Sequence, residues 1–304
     1  MTTPPPPATR DWGKLGLIGL ISLCWGLNWP AIKILLGYLP PFTLRALAFT
    51  AGAVLILAIA RLSGHRLRVA RSDLTPLVLG GLLNVLVFNL FTTYGQLTMA
   101  TSRAAVITFT MPVWTTLLAI PVLKEKPGPR QWIGLVCGMS GLAVLLGPHG
   151  LDQGIGPFLM LGAAVSWALG TVLMKRRPWS TPPMVVTGWQ YVLSAVPLVL
   201  LAAWHDPVPD FSILPAKAWV ALGWHISLSI CLAQVLWYKV IRRASAGEAT
   251  IGTLLIPVIG VTGSLLILGE TLTWSLLIAL GLIVAAVAAG VLPFPRKPRL
   301  QGTG

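Results

Sequence analysis

Charge is scarce in this sequence of 304 residues: only 10% of the residues are charged, and only 8 are acidic. A soluble domain of this length needs more charged surface, so water is not the main solvent of this chain. Hydrophobic residues make up 55% of the sequence. The 22 lysines and arginines fall in short clusters between apolar runs rather than along one soluble face. This distribution is typical of a membrane protein, and no nucleic-acid partner is expected.

Cysteines and protease motifs are also scarce. The three cysteines, Cys24, Cys137 and Cys231, each lie within an apolar run, which argues against a disulfide framework and favours packing roles. The sequence contains no HExxH motif, no pair of membrane aspartates and no recognisable serine–histidine pair. An intramembrane enzyme is therefore disfavoured, and we expect no catalytic residue, no metal site and no cofactor. A channel would need a filter-like motif, which is absent, whereas composition alone leaves a receptor or structural role open.

Ten apolar stretches are long enough, or nearly long enough, to cross a bilayer, for which a helix needs about 20 residues. Clusters of proline and glycine mark many of the breaks between them. The ten predicted spans are 15–36, 41–62, 76–97, 102–123, 131–147, 157–174, 183–204, 219–240, 249–268 and 274–292. The sequence thus predicts an all-α polytopic membrane protein surrounded by the lipid bilayer.

The basic residues support this count and orient the chain. When the N-terminus is placed in the cytoplasm, 18 of the 22 lysines and arginines fall on the inner side. A miscount by one span would scramble this distribution, because cytoplasmic loops are the ones rich in basic residues. We therefore expect a multi-pass protein of a bacterial-type inner membrane with both termini in the cytoplasm. The four remaining basic residues are Lys33, Arg45, Arg103 and Lys217.

The sequence repeats itself at an offset of 142 to 145 residues. The matching pairs are Trp25 with Trp167, Lys33 with Lys175, Pro40–Pro41 with Pro182–Pro183, Pro112 with Pro257, and Glu125 with Glu270. Each half holds five spans, an odd number, so the second half enters the membrane from the opposite side. The predicted division is a disordered tail at 1–11, a first repeat at 12–147, a second repeat at 155–292 and a C-terminal tail at 293–304. Inverted repeats provide two near-equivalent conformations, one open to each side, which favours a transporter.

Three stretches of the sequence, 22–33 (SLCWGLNWPAIK), 104–126 and 248–270, resemble the EamA-domain proteins of the drug/metabolite transporter superfamily. The resemblance covers nearly the whole chain apart from the two tails. It implies a ten-helix fold of two inverted five-helix repeats around a central cavity. The most similar subgroup is that of YddG-type exporters of aromatic and other neutral amino acids. The second repeat departs from the pattern at Gly170, where the first repeat has Asn28, so a polar role there is not symmetric.

Polar and aromatic side chains inside the spans are the candidates for contact with a substrate, because polar groups in a bilayer are costly unless they are paired or hydrated. Asn89, Thr93 and Gln96 share one face of the third span. Helix-to-helix hydrogen bonding is the alternative role for such groups. The aromatic candidates lie near the midplane, where an interfacial belt does not explain them, and their alternative role is packing. The full candidate set is Trp25, Asn28, Asn89, Thr93, Tyr94, Gln96, Trp114, Trp167, Gln234 and Tyr238.

Prolines and isolated charges supply the remaining candidates. Pro112 and Pro257 lie mid-span in equivalent positions of the two repeats and, with Gly260, are predicted hinges for gating. The charged candidates are Lys33, Arg45 and Glu270. Lys33 and Arg45 flank the first external turn, so they are expected to snorkel to the interface, with attraction of a substrate carboxylate as the alternative. His225 is interpreted as a packing residue.

These features predict a transporter that works by alternating access. Neutral and aromatic amino acids are the leading substrate class, and other metabolites or drugs are the alternative. We expect a central cavity lined by the first, third, fourth, sixth, eighth and ninth spans, with the fifth and tenth peripheral. None of the 8 acidic residues lies mid-bilayer, which favours a facilitator that exports its substrate down a gradient. Coupling to protons through a terminal carboxylate or His225 stays open as an alternative.

Overall fold

The computed structural model describes residues 12–147, 154–243 and 246–291, and in these ranges the chain is helical. We group its helical segments into rods numbered in chain order. The rods are α1 (Trp12–Gly26 and Asn28–Leu36), α2 (Pro41–Leu62), α3 (Leu74–Gly80, Gly81–Val87 and Phe88–Thr98), α4 (Thr101–Thr108 and Met111–Leu123), α5 (Pro129–Leu146), α6 (Gly156–Lys175), α7 (Pro183–His205), α8 (Ala216–Gly223, Trp224–Leu232 and Ala233–Arg243), α9 (Ala246–Leu268) and α10 (Trp274–Val291).

Eight of these rods, α1 to α8, contain a helix long and apolar enough to cross a membrane. Within the described residues, α9 and α10 contribute shorter apolar stretches, Leu255–Leu268 and Trp274–Ala289. The chain is therefore a multi-pass membrane protein, as the sequence predicts. That α9 and α10 also cross the bilayer remains a prediction.

Two rods are interrupted beside prolines. α1 breaks at Leu27, three residues before Pro30, and α4 breaks between Thr108 and Met111, just before Pro112. A proline has no N–H to donate to the preceding turn, and its ring crowds the carbonyl there, so the helix opens at these positions. Pro257 behaves differently, since it lies inside the continuous helix of α9. The two equivalent prolines are thus associated with a break in one repeat and with none in the other.

Two other rods contain π-helical stretches in corresponding places. In α3 the stretch is Gly81–Val87, and in α8 it is Trp224–Leu232. The two stretches correspond under the repeat offset of 142 to 145 residues. π-Turns inside α-helices are rare and occur frequently at functional sites. Their presence at equivalent positions directs attention to the space between α3 and α8.

The rods pack in pairs that correspond between the two halves of the chain. α2 packs along α7, and α5 packs along α10. α1 contacts α8 and α9, and its counterpart α6 contacts α3 and α4. Four buried apolar clusters lie between the rods in the described residues, among them one around Ile107 and Met160 and another around Phe49 and Ile230.

Glycines allow the closest helix crossings. A Cβ at Gly26 in α1 would lie 2.6 Å from the Cβ of Ile259 in α9, and one at Gly141 in α5 would lie 3.1 Å from the carbonyl oxygen of Ala279 in α10. Small residues of this kind let membrane helices approach through van der Waals contact where no hydrophobic effect drives them together.

Candidate functional site

A cavity of about 860 Å³ lies between the rods, and all ten of them contribute residues to its wall. Its volume is in the range of small-molecule sites. The predicted lining by α1, α3, α4, α6, α8 and α9 is found, but the prediction that α5 and α10 are peripheral is wrong. Gln131 and Gly134 of α5 and Ala286 and Val287 of α10 line the cavity. The reason is that α5 and α10 pack closely on each other and together close one side of the bundle.

Aromatic rings form much of the wall. Trp25 lies 5.6 Å from Trp237 between ring centroids, and Phe88 lies 4.9 Å from Trp167. The indole of Trp167 is 37% exposed although it lines the cavity, so its surface is available to a solute. Offset and tilted aromatic pairs of this kind provide apolar surface on which flat or branched side chains pack.

Polar groups of α3 line the same cavity. The side-chain amide of Asn84 donates to the backbone oxygen of Trp167 at 3.0 Å and to the hydroxyl of Thr171 at 3.1 Å, which joins α3 to α6. The amide of Asn89 donates to the carbonyl of Val85 at 2.8 Å. Gln96 is fully buried, and neither its Nε2 nor its Oε1 has a hydrogen-bond partner. An unpaired buried amide is costly, so Gln96 stands out among the lining residues.

Arg45 and His225 form a buried polar cluster on the wall. Each side chain is 1% exposed. The guanidinium donates from Nε to the hydroxyl of Thr93 at 2.6 Å and lies 3.5 Å from His225 Nε2, while His225 Nδ1 is 2.7 Å from Asn28 Oδ1. The snorkelling position expected for Arg45 is therefore wrong, because the side chain turns into the bundle where these groups solvate it. His225 is buried and hydrogen-bonded, which agrees with its interpretation as a packing histidine whose polar atoms are satisfied.

A cluster that we call the clasp borders the cavity at Gln96; it is defined as Lys33, Glu270 and the two helix ends that they cap. The Lys33 ammonium donates to the backbone oxygens of Gln96 and Met99 at the C-terminal end of α3. The Glu270 carboxylate accepts from the backbone N–H groups of Thr101 and Ser102 at the start of α4, at 2.6 and 2.8 Å.

Each charge of the clasp suits the helix end that it meets, because helix C-termini attract cations and N-termini attract anions. Lys33 also interacts electrostatically with Glu270. The ammonium is half-buried and held by carbonyl groups at the end of α3, and snorkelling of Lys33 stays a prediction.

The other end of the cavity, which we call the open end, lies near the start of α5 and the α6–α7 linker. The cavity reaches it through Gln131, Trp179, Thr181 and Pro183. Asp73 holds the α6–α7 linker in place, because the Asp73 carboxylate accepts from the backbone N–H of Thr181 at 2.8 Å and from the Thr181 hydroxyl at 2.7 Å. The cavity thus extends from Gln96 beside the clasp to Trp179 and Thr181 at the open end.

The structure divides the residues that the sequence singled out. Those that line the cavity are Trp25, Asn28, Arg45, Asn89, Gln96, Pro112, Trp167 and Gln234. Those described residues that do not line it are Lys33, Thr93, Tyr94, Trp114, Pro257, Gly260 and Glu270. The side chain of Tyr238 lies outside the described residues. The functional roles of all of these residues remain predictions.

The residues away from the wall have identifiable contacts. Tyr94 packs on Phe42 at 5.8 Å between centroids, and the indole nitrogen of Trp114 donates to the hydroxyl of Thr110 at 3.1 Å. Gly260 gives room to Trp29, whose ring would lie 3.2 Å from a Cβ at that position. It therefore serves α1–α9 packing in this conformation.

Several lining residues were not singled out from the sequence. They are Trp29, Phe88, Phe109, Thr187 and Gln190. Trp29 lies one helical turn from Trp25, and Gln190 lies three residues from Thr187, so both could have been found from helical periodicity. Phe88 and Phe109 carry no such signal in an apolar sequence.

Comparison with known proteins places the chain among transporters. The EamA-like transporter family matches residues 12–147 and again residues 154–291. The Bacillus subtilis (strain 168) protein "Uncharacterized transporter YvbV" is 31% identical over 275 residues, which cover 89% of each chain. The Salmonella typhimurium (strain LT2) protein "Probable amino-acid metabolite efflux pump" is 26% identical over 317 residues, covering 97% of this chain and 100% of that one. A solved crystal structure with 23% identity and a TM-score of 0.64 covers 93% of this chain and 99% of its own, so the fold is shared.

Proposed function

Because the chain belongs to the EamA-like transporter family, and is thus a membrane transporter of small solutes, we propose that it exports neutral and aromatic amino acids, as YddG-type exporters do. The observation that carries this proposal is the cavity of about 860 Å³, which has aromatic rings and amides in its wall. A cavity of this size and lining suits a small solute with an apolar side chain. The efflux function named for the Salmonella relative agrees with this direction.

The proposed architecture is ten spans in two inverted repeats, 12–147 and 155–292. Three observations support it: the two family matches, the corresponding helix pairs and the π-helical stretches at equivalent positions. With both termini in the cytoplasm of a bacterial-type inner membrane, the clasp faces outward and the open end faces the cytoplasm. In this proposal the clasp closes the cavity on the outer side, and the described conformation is inward-open.

Transport proceeds by exchange between this conformation and its outward-open counterpart. The substrate enters from the cytoplasm, the open end closes, and the clasp releases. The break in α4 beside Pro112 provides a hinge between the segment that carries the clasp and the segment near the open end.

The proposed energy source is the substrate gradient itself. Among the described residues, the wall of the cavity contains no aspartate or glutamate. A carrier coupled to protons usually places such a group where its proton affinity changes between the two conformations. The same lack of acidic groups disfavours organic cations as substrates, because nothing in the described wall neutralises them.

Counterflow in proteoliposomes tests the proposed function. Liposomes preloaded with unlabelled L-phenylalanine are expected to accumulate labelled L-phenylalanine, and liposomes without protein are not. A panel of other amino acids, nucleosides, sugars and organic cations then competes with the label. Exchange of nucleosides, sugars or cations without exchange of phenylalanine would replace the proposed substrate class by another one.

A further inference from the structure

Arg45 is the one charged residue in the cavity wall among the residues that the structure describes. It lies in the first two turns of α2, near the clasp, and its guanidinium is almost fully buried. A buried cation in a membrane protein is expensive and marks a functional site unless something neutralises it. Its surroundings therefore decide what it is for.

The hydrogen bonds of Arg45 can be counted. A guanidinium has five N–H donors and no acceptor. Thr93 receives the bond from Nε, His225 lies 3.5 Å from one terminal nitrogen, and the hydroxyl of Thr92 lies 3.5 Å from the other. All three partners are neutral, and one N–H on each terminal nitrogen is left without a partner. Both terminal nitrogens thus keep a donor, and an arginine binds a carboxylate through two parallel bonds from such donors.

His225 positions Arg45 and is not itself a second cation that would compete with it for a carboxylate. Since Arg45 only donates, His225 Nε2 must accept from it and carries no proton. The proton then lies on Nδ1, which donates to Asn28 Oδ1 at 2.7 Å. Asn28 and His225 thus hold the guanidinium from the α1 and α8 side while leaving its positive charge unbalanced.

The fold itself does not require a cation at this position. α2 and α7 begin alike after paired prolines, and Arg45 corresponds to Thr187 under the repeat offset of 142. Both residues line the cavity. Since a threonine suffices at the equivalent place in the second repeat, packing alone does not explain an arginine in the first.

Gln96 adds a second group suited to a polar ligand. It lies one turn beyond Thr92 on α3, and its unpartnered amide offers both a donor and an acceptor. An α-amino acid would match this pair of residues. Its carboxylate suits Arg45, while its ammonium suits the amide oxygen of Gln96.

On the basis of the transport function proposed above, we propose that Arg45 binds the carboxylate of the transported solute, so that the substrates are amphipathic monocarboxylates with an apolar or aromatic tail. The tail lies against the aromatic rings of the wall, Trp167 and Phe88 among them. A single cation balances a single negative charge. A phosphate ester, which carries nearly two charges, would stay partly unbalanced.

Comparing related ligands on the unmodified protein tests this assignment without any variant. Counterflow of labelled L-phenylalanine is challenged with L-phenylalanine, with L-phenylalaninamide, which lacks the carboxylate, and with 3-phenylpropanoate, which lacks the ammonium. We expect the first and the third to compete and the amide to be about tenfold to a hundredfold weaker, as the loss of a hydrogen-bonded charge pair predicts. Equal competition by the amide would overturn the role of Arg45. Absence of any phenylalanine counterflow would instead contradict the proposed amino acid substrate.

Variants then test whether Arg45 is the group that causes the preference for phenylalanine over its amide. Arg45→Gln is expected to abolish the preference for phenylalanine over its amide, and Arg45→Lys to retain part of it, because an ammonium keeps the charge but not the paired donors. Arg103→Gln is the matched control, since Arg103 donates to the backbone of Leu145 at 2.6 Å and does not line the cavity. Thermal unfolding in detergent checks that each variant is folded. An Arg45→Gln protein that still prefers the acid over the amide would refute the assignment.

Discussion

The contacts of the clasp predict how much Glu270 stabilises the conformation in which the clasp is formed. Glu270 supplies the first two N–H groups of α4 with acceptors at 2.6 and 2.8 Å, although it lies 169 residues away in the chain. Removing a side-chain cap costs about 0.5–2 kcal/mol, and losing a charge at a helix N-terminus costs about 0.3–1 kcal/mol. If α4 keeps this cap only while the clasp is closed, removing the cap destabilises the closed conformation and leaves the free energy of the open conformation unchanged.

Two substitutions of Glu270 should destabilise the closed conformation to different extents. Glu270→Gln keeps one acceptor oxygen and should cost about 1 kcal/mol, whereas Glu270→Ala removes both and should cost about 2 kcal/mol. One to two kcal/mol changes a two-state ratio by a factor of about 5 to 30. We therefore expect the population open at the clasp end to rise by about fivefold in the first variant and by up to about thirtyfold in the second.

Labelling of a single cysteine measures this population. Ser102 is 1% exposed and its backbone N–H, not its side chain, donates to Glu270, so a cysteine there leaves the cap intact. In a background that lacks Cys24, Cys137 and Cys231, a membrane-impermeant maleimide added outside intact cells labels Ser102→Cys only when the clasp opens. The labelling rate should rise in the order wild type, Glu270→Gln, Glu270→Ala.

Glu125 provides the matched control, because it is the repeat equivalent of Glu270 and lies exposed towards the other end. Glu125→Gln should not raise the labelling rate. If the labelling rates of both Glu270 variants equal that of the wild type, the clasp does not hold the cavity closed, and the reasoning fails.

Three further predictions follow from the cavity. Gly170→Ala places a Cβ onto Asn84 Oδ1, so it should lower the free energy of unfolding by about 1–3 kcal/mol. Adding Asn84→Ala to the same chain should restore part of this stability, as measured by thermal unfolding. Trp167→Ala should weaken phenylalanine counterflow with normal membrane insertion, whereas Tyr94→Phe, which changes a residue outside the wall, should leave it unaltered. In liposomes at equal pH and zero potential, a substrate gradient alone should drive flux; flux that needs an imposed proton gradient would contradict the facilitator.

Much of the fold could be predicted because the bilayer imposes simple rules. Apolar length gives the spans, and a polar residue inside a span is rare enough to be noticed, as Asn89 and Gln96 were. Tyr94 follows Thr93 directly and therefore points away from the face shared by Asn89 and Gln96. Its position outside the wall could have been anticipated from periodicity.

Other features depend on tertiary structure and leave no local signal. The break at Phe109–Thr110 changes the helical phase of α4, so the direction of Trp114 cannot be extrapolated from the segment before it. Arg45 lies near a predicted span end, where sequence alone does not separate a snorkelling arginine from a buried one. The cap from Glu270 onto α4 requires knowledge of which loops meet.

The difference between Arg45 and Thr187 gives the cavity a polarity that its near-symmetric scaffold lacks. If Arg45 binds the carboxylate as proposed, a solute with its tail on Trp167 and Phe88 lies lengthwise in the cavity. Its head would then lie nearest the clasp, next to the exit in the outward-open conformation. Under that arrangement the length of the molecule, rather than room to rotate, would limit which solutes can pass.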